Sequence, residues 1–310
     1  MASPNYGALG LLPGTWTGTG VSITLLPNHA QRGQINFQRK IHFTKDTIVF
    51  TMLPGVTMNR TFLPPLGGSA AVADQATYGL SYLQTVVATS SPTDPSDVNQ
   101  AIHVEPGTWM YNPKATDSPL IPPSYVRLAS VPHGVSLMLS TDVSGTAGPG
   151  HTVIQGPPQY PPRASITKRP GAPGVTRNNG YGGAELPPNP VTNPNAYMVL
   201  QQALAAILAT NGDTVKQTTV IKVGDVNSQA GSSDGRSDFA QTVFLGANAK
   251  TTAAEMTLYI IQTGKGNTIL QYVQQVMLFF DFVDWPHITV GTLVRSGGVG
   301  TKGGAPRPKL

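Results

Sequence analysis

Apolar and polar positions alternate with a period of two through "TWTGTGVSITLL" (Thr15 to Leu26) and "INFQRKIHFT" (Ile35 to Thr44), and a further β run, "DTIVFTML", stops at the Pro54-Gly55 turn. The pattern returns in "ATYGLSYLQTVVAT" (Ala76 to Thr89), "QAIHVEPGTWMYN" (Gln100 to Asn112) and "SYVRLASVPHGVSLMLST" (Ser124 to Thr141), with Pro- and Ser-rich turns between them. It resumes in "TTVIKV" (Thr218 to Val223), "AEMTLYIIQTG" (Ala254 to Gly264), "ILQYVQQVMLFFDF" (Ile269 to Phe282) and "PHITVGTLVRS" (Pro286 to Ser296). Only "NAYMVLQQALAAILATNG" (Asn195 to Gly212) reads as a helix, with Val199, Leu200, Ala203, Leu204, Ile207 and Leu208 on one face and an Asn-Gly stop. That stripe is expected to cover the end or side of a barrel.

Between Asp142 and Asn195 the sequence turns Pro- and Gly-rich, has no sustained apolar period, and is expected to wrap the domain as a long loop. Strands lie on both sides of it and neither half looks self-sufficient. The expected fold is therefore all-β: one closed antiparallel barrel of about eight to ten strands, which also removes exposed sheet edges. The domain is expected to span 1–298, with a flexible tail over 299–310.

Composition agrees with this architecture, since charged residues make up only 11% of the 310 positions while 34 Gly and 28 Pro supply turns. The net charge of +5 is thinly spread, its one cluster being "TKRPGAPGVTR" (Thr167 to Arg177), so nucleic acid is not an expected partner. With no cysteine, thiolate chemistry and Cys-ligated metals are excluded. The start, "MASPNYGALGLLPG", has no signal-peptide pattern, and no run approaches the roughly 18 apolar residues of a membrane span, so a cytoplasmic protein is expected.

No phosphate loop, dinucleotide fingerprint, His-Glu-x-x-His pair or Gly-x-Ser-x-Gly elbow occurs. The acidic residues show no spacing that suggests a general acid/base pair, although folding could assemble one. Of six histidines, His29 and His151 lie in loops, and His42 sits opposite the face carrying Ile41 and Phe43. His103, His133 and His287 each stand at a strand end beside proline or glycine, where imidazoles could meet an iron or another borderline metal. On the last strand His287, Thr289, Gly291, Leu293 and Arg295 share a face, and Trp16, Gly18, Gly20 and Ser22 share one on the first. If those faces point inward, His287 looks into a cavity, Gly291 opens its wall, and the glycines after Trp16 leave a void above a packed floor.

"GTWTGTG" (Gly14 to Gly20), "IHVEPG" (Ile102 to Gly107), "VPHGV" (Val131 to Val135) and "PHITVGTLVR" (Pro286 to Arg295) resemble, in this order, motifs of the nitrobindin-like haem-binding β-barrels. The nearest likeness is to a longer bacterial and fungal class of haem-binding barrels. The resemblance implies haem b held by His287 as the metal ligand, with His133 as the distal catalytic candidate and His103 in the wall. Thr289, Gly291 and Tyr82 would line the cofactor site. It also implies nitric oxide, peroxynitrite-isomerising or peroxidase-like chemistry, and a Trp16 plug under Arg295. The alternative is a haem-free lipocalin-like binder, or an isomerase or cyclase, of an apolar small molecule, using hydrogen bonds from Tyr78, Tyr82, Tyr125 or Tyr272. A homo-oligomer is compatible with either.

Overall fold

The computed structural model describes residues 5–27, 37–63, 71–113, 123–131, 135–141, 151–160, 196–225, 238–240, 250–280 and 283–296. Within them the first half of the chain forms β1 (Gly14–Pro27), β2 (Phe37–Met52), β3 (Thr57–Leu63), β4 (Ala71–Ser90), β5 (Ala101–Asn112), β6 (Ser124–Ser130), β7 (Val135–Ser140) and β8 (Thr152–Gln155). The second half forms α1 (Ala196–Asn211), β9 (Val215–Asp225), β10 (Asp238–Ala240), β11 (Lys250–Thr263), β12 (Thr268–Phe280) and β13 (Val283–Arg295). Ten strands close on themselves in the order β7-β6-β5-β4-β2-β1-β13-β12-β11-β9, and β9 pairs back to β7, all antiparallel. The expected all-β closed barrel with one covering helix is the fold.

β3 lies off this ring, pairing only with the first part of β4, while β8 and β10 add to β9 and β7. Of the Pro/Gly-rich stretch, residues 151–160 are described and include β8; the 299–310 tail lies outside the described residues. Among the described residues no helix is long and apolar enough to cross a membrane.

Alternation sorts each strand into two environments. Inside, Leu9, Leu12, Trp16, Ile48, Phe50, Leu80, Trp109, Leu258, Leu270 and Leu293 pack the end at which β1 begins and β13 finishes. The short 3-10 turn Gly7–Leu11 sits on this end, and Leu12 accepts a hydrogen bond from the Trp16 indole at 2.6 Å. The Arg295 guanidinium lies 4.8 Å from the centre of the Trp16 ring and donates to the Leu11 carbonyl, so the expected plug is in place.

Outside, Val21, Ile41, Ile261, Ile269, Ile288 and Val290 are buried by Leu200, Leu204 and Ile207 of α1. The helix therefore covers the side of the barrel and not its end. Gln271, on the same outer face, fixes it there: its amide nitrogen donates to the Leu200 carbonyl and to Thr292, each at 2.8 Å, and its oxygen accepts from Tyr160.

Candidate functional site

The lumen above the apolar floor is polar. Arg127 on β6 and Glu105 on β5, both fully buried, form an ion pair, and the Tyr82 hydroxyl from β4 donates to the same carboxylate oxygen. Arg127 Nε donates to the Tyr82 oxygen at 3.0 Å and Nη2 reaches the Gln274 oxygen of β12 at 3.3 Å, so the network crosses the barrel. The other Glu105 oxygen meets His103 Nε2 at 3.2 Å and accepts from the Gln274 amide at 3.4 Å. A second buried pair stands beside it, with the Tyr272 hydroxyl donating to Asp46 Oδ2 at 2.6 Å.

The two carboxyls are driven in opposite directions. Burial pushes Glu105 up, but the Arg127 charge and the hydrogen bonds from His103 and Tyr82 outweigh it and hold it well below the usual carboxylate range. Among the described residues Asp46 has no cation in contact, so burial dominates over its hydrogen bonds and raises it to about 6. Burial, together with the adjacent Asp46 charge, also drives the Tyr272 phenol well up. Glu105 is a fixed anion; Asp46 can exchange a proton near neutrality.

At the opposite end from Trp16, His287 faces inward and its Nε2 lies 3.1 Å from the Ser22 hydroxyl, which is 3.3 Å from Thr289. His42 enters this layer from β2, opposite Ser22 in register, and its Nε2 lies 3.0 Å from Asp97. Ile41 and Phe43 point outward beside the helix, so the face opposite them is the lumen. His103 is inward too, with its side chain 15% exposed. Thus His287, Thr289, Gly291, His103 and Tyr82 all share the barrel interior, although Tyr82 and His103 are engaged with Glu105. His133 lies outside the described residues.

Gly291 does not open the wall as expected. A Cβ there would meet the Tyr272 ring at 2.4 Å and Asp46 Oδ2 at 2.6 Å, so the missing side chain makes room for that pair. Gly20 likewise faces Asp46 Oδ2 and Thr44 Oγ, at 2.9 and 3.0 Å from its absent Cβ, while Gly18 lets β1 approach the Thr292 carbonyl of β13. The space after Trp16 is filled by hydrogen-bonding groups rather than left as a void.

Sequence reasoning missed Asp46, Glu105, Arg127 and Gln274. Period two offered one usable signal, since Glu105 stands two residues after His103 and so shares its face. Arg127 misleads, because Val126 and Leu128 beside it point outward while the arginine points in. The fold and this interior define a closed barrel whose lumen carries an ionised polar network beneath a histidine-bearing end. No family model, curated protein or solved structure matches the chain.

Proposed function

We propose that the barrel binds haem b in its histidine-bearing end, with His287 as the iron ligand. The observation that carries this is the placement of His287 on the inner face of the last strand, anchored by Ser22. Among the described residues no three His, Asp or Glu side chains converge as a metal cage. A porphyrin supplies four of the iron's ligands, so one oriented imidazole suffices. The Ser22 hydroxyl, 3.1 Å from His287 Nε2, fixes the ring as an outer partner of a metal-bound histidine would. Ala129, Val135, Leu137 and Val223 make the wall of β6, β7 and β9 apolar, which suits one face of a flat macrocycle.

Bound haem would supply an iron centre for nitric oxide, peroxynitrite or peroxide. The chain's own part is to hold that group by one imidazole, exclude water with the apolar wall, and keep fixed charges beneath it. Titration with hemin tests this: the wild type is expected to give a saturable Soret shift that His287→Ala loses. An unchanged titration in the variant removes His287 from the site.

A second reading is favoured by a different observation, the buried Asp46–Tyr272 pair near Glu105. Such groups suit a haem-free binder or an isomerase of an apolar molecule that needs proton exchange. Protein that neither carries nor takes up hemin would favour this reading.

A further inference from the structure

The outer surface of the barrel is covered on one side. The cluster that α1 buries draws its strand residues from β1, β2, β11, β12 and β13, and none from β4 to β7. On β2 the outward positions leave that cluster after Phe43, and the same face continues across β4, β5, β6 and β7. Alternation puts apolar side chains there: Leu83 points out between buried Tyr82 and Gln84, Leu128 between Arg127 and Ala129, and Met138 between Leu137 and Leu139. Val49 and Leu83 are directly opposed, Leu83 in turn faces Pro106, and Leu128 faces Met138. These are not shielded, since Val49 is 38% exposed, Leu83 47% and Met138 40%.

Single apolar side chains on a surface need no explanation; a contiguous row does. The outward positions between them are uncharged, mostly Thr, Ser and Val, and among the described residues Lys45 at the margin is the one charged group on this face of the five strands. Five strands about 4.8 Å apart, over about seven residues each, make a patch of roughly 24 by 23 Å. Two copies face to face would bury on the order of 1,100 Å², the lower end of what a specific interface needs. The ribbon of β3 and the first part of β4 enlarges it at one corner. There Leu53 folds over Gly79, and Val56 and Met58 beyond it are 48% and 41% exposed. A two-stranded ribbon is only marginally stable in water by itself, so this corner also gains from cover.

We propose that this outer face of β2 and β4 to β7 is a self-association surface, on which a second copy of the chain packs about a two-fold axis with Leu83 near its centre. A two-fold contact sets each patch against itself, so any charge on it would meet its like. This patch carries none at its middle, whereas the chain as a whole, at +5, repels its copy elsewhere. Charge also argues against the other occupants. Nucleic acid, an acidic peptide or an anionic bilayer would each call for cations on the patch. A lipid-facing barrel carries aromatic girdles outside, but here Trp109, Tyr111 and Tyr125 are turned inward and buried. The surface is independent of haem, because it lies on the opposite side of the sheet from the lumen.

Sedimentation velocity of the full chain tests this. The wild type is expected to pass from one to two chain masses as its concentration rises through the micromolar range. Added salt should leave the association equal or stronger, since the contact is apolar and the net charges of the copies repel. Leu83→Glu, and Val49→Glu opposite it in register, should each weaken the dimer at least about tenfold by setting like charges together. Met198→Glu is the control: this methionine on α1 is 39% exposed, on the side away from the patch, and its replacement should change nothing. Circular dichroism of each variant establishes that the barrel is intact. A wild type that stays at one chain mass up to about 100 μM overturns the proposal and gives the face to another part of the chain or to a different partner. So does association that survives both Glu variants, that Met198→Glu weakens equally, or that falls as salt rises. Monomer that floats with phosphatidylcholine vesicles, and is released by Leu83→Glu, would assign the face to lipid instead. A failed hemin titration leaves this test unaffected, so the two readings fail separately.

Discussion

Asp46 is the residue at which stability and chemistry pull apart. Its carboxyl titrates near 6 in the folded protein, above the ordinary value near 4, because burial disfavours the charge more than its hydrogen bonds favour it. Between those values the folded state binds more protons than the unfolded chain, so the contribution of Asp46 to stability is greatest below about pH 4 and is lost as pH rises through about 6. The size of that loss is up to about 3 kcal/mol. Glu105 has the opposite sign: its depressed pKa gives stability that is present above the ordinary carboxylate range and lost only as pH falls below it. Urea midpoints of wild type and Asp46→Asn between about pH 4 and 7 separate the two. The wild type should lose stability across that interval relative to the variant; parallel curves would show that Asp46 is not desolvated.

At the level of elements, α1 makes the most separable contribution. Leu204 is buried on the outer surface of the barrel with Ile261, Ile288 and Val290 in the same cluster, on the far side of the sheet from the lumen. Truncation to alanine should cost about 2–5 kcal/mol by urea denaturation, through lost burial and a residual cavity. Hemin affinity should not change, because the inner face is untouched. A loss of affinity at full stability would mean that the helix shapes the lumen.

This division also marks how far the sequence could be read. β1, β12, β13 and α1 were legible because their apolar period is clean and each has one buried face or stripe. β3, β8 and β10 were not, being short additions outside the closed ring whose sequences carry little burial signal. That His287, Thr289 and Gly291 share one face followed from parity alone; that this face is the inner one follows from the packing of Ile288 and Val290 against the helix. Asp46 and Arg127 were illegible because single charged residues in strands normally mark solvent, and the partners that justify burying them come from distant strands. Tyr272 lies 226 residues from Asp46, and Gln274 lies 147 from Arg127. Only closure of the barrel brings such groups together.

Closure itself is uneven around the molecule. β12 and β13 pair continuously from Ile269 to Phe280, and β1 and β2 from Gly14 to Pro27, but among the described residues β7 and β9 meet through Leu139↔Asp225 and Ser140↔Gly224 alone. β7 is also short, and the residues it turns inward, Leu137 and Leu139, join Val223 in the apolar wall. Among the described residues, opening this seam breaks the fewest ladder hydrogen bonds of any junction in the ring and gives access to the apolar side of the lumen, which makes it the cheapest local opening described. Amides of β7 and of the end of β9 should exchange with deuterium at least about tenfold faster than those of β1, β12 and β13, by mass spectrometry. The absence of cysteine makes a second measurement clean, because Ser140→Cys with Gly224→Cys places a directly opposed pair across the seam. Oxidised, this variant should slow hemin association while leaving its affinity near that of the reduced form, and reductant should restore the rate. Uniform exchange around the barrel, or an association rate indifferent to the crosslink, would place the entry route elsewhere, most directly at the histidine-bearing end.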